Sequence, residues 1–197
     1  MQNKTSIEFY ENNHVMIDIE TLGTNTDAVV TQIAAVSFNP IEGTILSEFN
    51  VHIDIQDSLN EGFTTSASTI LWWFAQDEDA RLNLIEKNKT GMKVKEALFE
   101  FECFFRSTFG PDLSNVKVWG NGATFDINKM KTHFNKFNHP TPWLFWNERD
   151  VRTITAFDPE LKESIKMEGI KHDGLADSRH QIKYLSAIIN KVINGTN

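Results

Sequence analysis

The spacing of apolar residues changes near residue 66, from a repeat of about two to a repeat between three and four. Before that point, Val15-Met16-Ile17-Asp18-Ile19-Glu20-Thr21-Leu22-Gly23 is an apolar, β-branched run carrying two acids, and it predicts a buried strand that breaks at Thr21-Leu22-Gly23. Val29 to Phe38 is apolar on both faces and predicts a second central strand. Asn39-Pro40-Ile41-Glu42-Gly43 supplies hairpin chemistry. Beyond it Ile45, Phe49, Val51, Ile53 and Ile55 alternate with Thr44, Glu48, Asn50, His52 and Asp54. That pattern predicts a third strand with one buried and one solvated face, completing an antiparallel meander.

After Ser66 the pattern is helical. Residues 66–74 and 77–87 predict two short helices parted near Gln76, and Val94, Ala97, Leu98, Phe101, Phe104 and Phe105 predict the clearest helix, ended by Gly110-Pro111. Val116–Trp119 predicts a short buried strand stopped by Gly120-Asn121-Gly122, followed by a helix from Phe125 to Phe137 that buries Ile127, Met130 and Phe134. A last strand is expected near 147–151 and irregular chain over 158–172. A final helix from Gly174 should carry Ile182, Leu185, Ile189 and Val192 on one face. The order β-β-β-α-β-α-β-α predicts an α/β domain: a mixed five-stranded sheet, three antiparallel strands plus crossovers, flanked by helices. Residues 1–13 read as a polar N-terminal lead-in and 14–194 as a single domain.

Composition narrows the chemistry. No apolar run is long enough for a bilayer, so no membrane partner is expected, and the polar N-terminus has no signal-peptide core. Cys103 is the only cysteine, so no internal disulfide can form, which fits a reducing cytoplasm. The net charge of −8 argues against binding long duplexes, which need a continuous basic track. The charge is uneven: residues 1–90 hold four Lys/Arg against 14 Asp/Glu, and residues 91–197 hold 15 against 13. Lys129, Lys131, Arg149, Arg152, Lys171 and Arg179 are therefore the candidates for a local phosphate path.

The acids carry the sharpest signal. Asp18 and Glu20 lie two apart on one strand and so project to the same side. A desolvated carboxylate must be paired or must ligate a metal. Asp126 falls in the first turn of the helix after Val116–Trp119, where an acid also complements the helix dipole. His172 and Asp177 flank the start of the final helix. His14, His52, His133 and His139 have no acids clustered about them and read as structural or surface residues.

Together these segments resemble the DEDD 3′-5′ exonuclease superfamily of the ribonuclease H-like fold, in its histidine-containing (DEDDh) branch. Asp18-Ile19-Glu20-Thr21-Leu22-Gly23 matches the first motif, Asn121-Gly122-Ala123-Thr124-Phe125-Asp126 the second, and His172 with Asp177 the third. Thr69–Gln76 and Arg149-Asp150-Val151-Arg152-Thr153 are similar to the phage exonuclease A and mycobacterial exoribonuclease-like group. The resemblance implies two divalent cations, Mg²⁺ or Mn²⁺, about 3.5–4 Å apart. Asp18 would bridge them, Glu20 and Asp177 would complete the first site, and Asp126 would serve the second through water. His172 would be the general base, and nucleoside 5′-monophosphates would leave from a 3′ end.

Thr21, Leu22, Asn121, Phe125 and Trp73 are the candidate substrate-binding residues, with Phe125 or Trp73 stacking on a base; core packing is the competing role for Trp72-Trp73. The expected partners are single-stranded DNA or RNA 3′ ends and short oligonucleotides, DNA slightly favoured by the phage-like resemblance. Related enzymes are often dimers, which leaves a homodimer open. A non-catalytic nucleic-acid or protein binding module on the same fold is the alternative, opposed by the intact set of acids.

Overall fold

A computed structural model describes residues 12–195; the lead-in read over 1–13 lies outside these except for Asn12 and Asn13. The sheet has five strands in the order β3-β2-β1-β4-β5: β1 His14–Thr21, β2 Val30–Phe38, β3 Ile45–His52, β4 Lys117–Gly120 and β5 Glu148–Asp150. β1 to β3 form the expected meander, with β1 against β2 from His14↔Phe38 to Thr21↔Val30. β4 runs parallel to β1 and β5 parallel to β4, so β1 and β4 bring their C-terminal ends to the same edge.

Helices cover both faces, which is why all nine residues of β2 are buried. In chain order they are α1 Ile55–Asn60, α2 Ala67–Phe74, α3 Glu78–Asn88, α4 Val94–Phe109, α5 Ala123–Lys136, α6 Val151–Thr155, α7 Pro159–Ser164 and α8 Gly174–Asn194. Side chains alternate along β1 and sort into two cores. Val15, Ile17 and Ile19 join Phe101, Phe105, Ile127, Met130 and Phe134 from α4 and α5. Met16 joins Val36, Phe38, Trp119 and the α8 residues Ile182, Leu185 and Ile189. Asp18 and Glu20 continue the Met16 series, so the alternation delivers both acids to the α8 side at the end of the strand.

Three expectations need correction. The third strand stops at His52, because the Asp54 side chain accepts the Gln56 and Asp57 amides at 2.7 and 3.1 Å and caps α1; Ile55 is therefore helical. Residues 158–172 are not wholly irregular: Asp158 accepts the Leu161 amide and Pro159 opens α7, following the short α6. Val192 is exposed, because α8 has by then run past the sheet and Ile193 packs in its place.

Candidate active site

The C-terminal ends of β1 and β4, the start of α5 and the first two turns of α8 enclose a cleft of about 860 Å³. Asp18, Glu20 and Thr21 enter it from β1, Asn121, Phe125 and Asp126 from the β4–α5 junction, and His172, Asp177 and Gln181 from α8 and the loop before it. Ligands of open α/β sheets collect at such strand ends.

Each entry is locally fixed. Gly122 turns the chain at φ 100°, a left-handed conformation open to glycine, and launches α5. The Asp150 carboxylate accepts the Gly122 and Ala123 amides at 3.3 and 2.9 Å and the Arg152 amide at 2.8 Å, so one side chain pins the starts of α5 and α6. Asp126, buried in that first turn of α5, faces β1. Asp173 caps α8 by accepting the Ala176 amide, and the Gly174 amide donates to Gln32 Oε1 at 3.0 Å. Gly174 also lets the helix close on β1, since a Cβ there would meet the Asp18 carbonyl oxygen at 3.1 Å and Ala34 Cβ at 3.2 Å. His172 holds φ 61°, strained for a residue with a Cβ, and its amide donates to Asp177 Oδ2 at 3.0 Å. The donor atoms of Glu20, His172 and Asp177 lie within 4.8 Å of one another.

The electrostatics follow from burial and crowding. Burial pushes the Asp18 carboxyl well above the usual range, helped by Asp126, Glu20 and Asp177 and opposed by a hydrogen bond from Gln181. Glu20 rises for the same reason, with Asp177, Asp126 and Asp173 adding to burial. Burial takes Asp126 up to about 7 against the backbone amides of Ile19 and Asp126 itself, and takes Asp177 up to about 6 against the His172 amide. His172 is shifted down by burial and then by Lys171, which leaves its ring neutral at pH 7. Four carboxylates that resist ionisation together form a site that a divalent cation relieves, and their oxygens suit a hard ion such as Mg²⁺ or Mn²⁺.

The walls differ from the sequence reading at two positions. Trp73 is 4% exposed and its indole N–H donates to the Thr21 carbonyl at 2.9 Å, so it braces β1 and offers no face to a base. Trp72, 43% exposed, lines the cleft instead and meets His172 edge-on with ring centroids 4.7 Å apart. Leu22 turns into the core beside Val29 and Ile19 rather than toward the cleft. Thr21, Asn121 and Phe125 do line it, and the Lys129 ammonium backs the Phe125 ring at 3.1 Å from its centroid.

Most of the cations proposed for a phosphate path are engaged elsewhere. Lys131 pairs with Glu148, Arg179 with Glu48, Arg149 donates to the Trp146 carbonyl, and buried Lys129 donates to the Thr24 carbonyl. Among the described residues Arg152 is the one Lys or Arg lining the cleft. Sequence reasoning missed Trp72 and Gln181 as cleft residues. Both had a positional signal: adjacent helical residues cannot share a face, and Gln181 follows Asp177 by four.

A family model described as the 3′-5′ exoribonuclease Rv2179c-like domain matches residues 13–189. An exodeoxyribonuclease of Enterobacteria phage T4 is 23% identical over 158 residues, covering 70% of this chain and 68% of that protein. Among solved structures, the nuclease domain of 3′hExo, a DEDDh family member bound to rAMP, superposes with a TM-score of 0.62 at 12% identity over 94% of both chains. Exonuclease I of E. coli in complex with a dA16 oligonucleotide gives 0.61 at 18% identity, over 92% of this chain and 41% of that one.

Proposed function

The chain belongs to the family of Rv2179c-like 3′-5′ exoribonuclease domains and is a 3′-5′ exonuclease of DEDDh type, and from that premise we propose that it removes nucleoside 5′-monophosphates one at a time from single-stranded 3′ ends. The observation that carries this reading is the meeting of Asp18, Glu20, Asp126 and Asp177, from three distant segments, in one cleft whose burial resists their ionisation. Divalent metal ions serve this family. Here Asp18, Glu20 and Asp177 would hold one Mg²⁺ or Mn²⁺, and Asp18 and Asp126 a second. Two such ions neutralise phosphate charge and stabilise both the attacking and the leaving oxygen of an in-line displacement.

The remaining steps belong to the protein. His172, neutral at pH 7, takes the proton of the attacking water on the ring nitrogen that lies within 4.8 Å of the Glu20 and Asp177 carboxylates. Its strained backbone, tied to Asp177, and the edge of Trp72 hold that ring in place. Trp72 and Phe125 supply the aromatic surfaces for the terminal bases, and Arg152 the phosphate contact. With Arg152 the one Lys or Arg among the described residues that lines the cleft, short oligonucleotides or free ends are favoured over long duplexes.

The test uses 5′-labelled single-stranded oligonucleotides, in DNA and RNA forms, with Mg²⁺, Mn²⁺ or EDTA. The expected result is a ladder that shortens from the 3′ end and disappears with EDTA. Both sugars are run because the matching family model is described by RNA and the phage T4 relative by DNA. Asp18→Ala and Asp177→Ala should abolish the ladder while keeping the circular dichroism of the wild type. Turnover retained by either variant, or no shortening by folded wild type, would sink the assignment.

A further inference from the structure

Among the described residues, Gln181 is the neutral side chain of α8 that lines the cleft together with the acids. It sits one turn beyond Asp177, on the same face of the helix, and lines the cleft while only 4% exposed. Its Nε2 donates to Asp18 Oδ1 at 2.7 Å. The amide thus presents its NH₂ group to Asp18, the arrangement that an ionised, cation-holding carboxylate needs because it accepts only, and this points Oε1 away from it. That Oε1 is buried and has no hydrogen-bond partner. Leaving a buried amide oxygen unpaired destabilises the fold, so a residue serving only as filling would be better apolar.

The other side of Asp18 is shaped to match. Gly174 lets α8 close on the Asp18 backbone, where a Cβ would meet the Asp18 carbonyl oxygen at 3.1 Å, and a Cβ there would only touch Oδ2, at 3.4 Å. Oδ1 is therefore tied by Gln181, while Asp18 itself lines the open cleft.

We propose that Gln181 is a positioning residue for the exonuclease reaction: its Nε2–H group fixes the orientation of the Asp18 carboxylate for cation binding, and its Oε1 accepts a hydrogen bond from a water molecule of the loaded cleft. The proposal rests on the reading of the four acids as the cation site. Partners that orient a ligating carboxylate are worth roughly 10–100-fold in metal affinity when removed.

Gln181→Met keeps the length and fills the space without donor or acceptor. Isothermal titration of Mn²⁺ into metal-free wild type and variant should show affinity weakened roughly 10–100-fold. Initial rates against Mn²⁺ should move their half-saturation point by the same factor, while KM for the oligonucleotide at saturating Mn²⁺ stays unchanged. A merely structural glutamine would lower Tm and leave both Mn²⁺ dependences where they are in the wild type, and that result would overturn the proposal. Gln181→Leu, read in the same two assays, decides the matter if the Met variant does not fold. Wild type that binds no Mn²⁺ and shortens no oligonucleotide would overturn the exonuclease reading together with this one. Wild type that does both beside an unaltered Gln181→Met would overturn this one alone.

Discussion

Neutralising a catalytic acid should make the metal-free protein more stable. Asp126 is the clearest case: burial holds its carboxyl at about 7, some three units above an unfolded aspartate. A carboxyl whose folded pKa is raised binds more protons folded than unfolded between those two values, so its charge destabilises the fold as pH rises. At pH 8 the ionised group costs the fold about 4 kcal/mol relative to a neutral one, and at pH 5 about 1–2 kcal/mol, from 1.36 kcal/mol per unit. Asp126→Asn removes that cost and keeps one acceptor for the backbone amides around it. A lost amide contact would trim the gain, so about 2–4 kcal/mol is expected at pH 8 and about a third of that at pH 5.

For a domain of this size each kcal/mol moves Tm by about 2–4 °C. Thermal melts in EDTA should therefore place Asp126→Asn above wild type by about 4–16 °C at pH 8, with the gap narrowing toward pH 5. Adding Mg²⁺ or Mn²⁺ should close the gap, because the ion replaces the missing positive charge in the wild type and finds one ligand fewer in the variant. The variant should at the same time lose turnover. A variant less stable than wild type in EDTA at pH 8 would refute the reasoning, since it would mean that Asp126 is a structural carboxylate held by its hydrogen bonds.

The two neighbouring tryptophans should separate cleanly: Trp73→Ala costs about 3–5 kcal/mol of stability, read by urea melts, whereas Trp72→Ala leaves Tm nearly unchanged and raises KM for short oligonucleotides. Equal effects in the two assays would contradict the placement of the rings. Asp150→Ala should lower stability by about 1–2 kcal/mol and reduce kcat, because the capped junction that carries Asp126 loosens; a stability loss with full kcat would confine Asp150 to a structural role. His133 is buried, stacked 4.0 Å from Phe63, with Nδ1 against the Lys129 carbonyl, and burial pushes its pKa down to about 4. The unfolded chain therefore takes up this proton first, so its share of stability is full above about 6.5 and falls by about 2–3 kcal/mol toward pH 4.5. His133→Phe should flatten that part of the pH dependence in urea melts, and an unchanged slope would refute it.

How far the chain could be read depended on whether a residue's surroundings break a local rule. Asp18 and Glu20 stand out because charge in an apolar, β-branched run contradicts the strand around it, and period-two alternation puts both on one side. The long helices α4, α5 and α8 were legible because each spans enough residues to show its period, and β2 and β4 because they are apolar runs bounded by turn residues. α1, α6 and α7 have five or six residues each, too few for a period. At α1 the residue that ends the strand, Asp54, also continues its alternation, so only the cap geometry separates the two readings.

The missed cleft residues share another cause. Gln181 is neutral, and its spacing of four from Asp177 marks only a shared helix face; its role comes through Asp18, 163 positions away. The choice between Trp72 and Trp73 turns on the Thr21 carbonyl, which lies 52 residues back in the chain and accepts from only one of them. Side chains that bear the charge declare themselves in the local sequence, whereas those that orient it are defined by contacts that exist only once β1 and α8 have met.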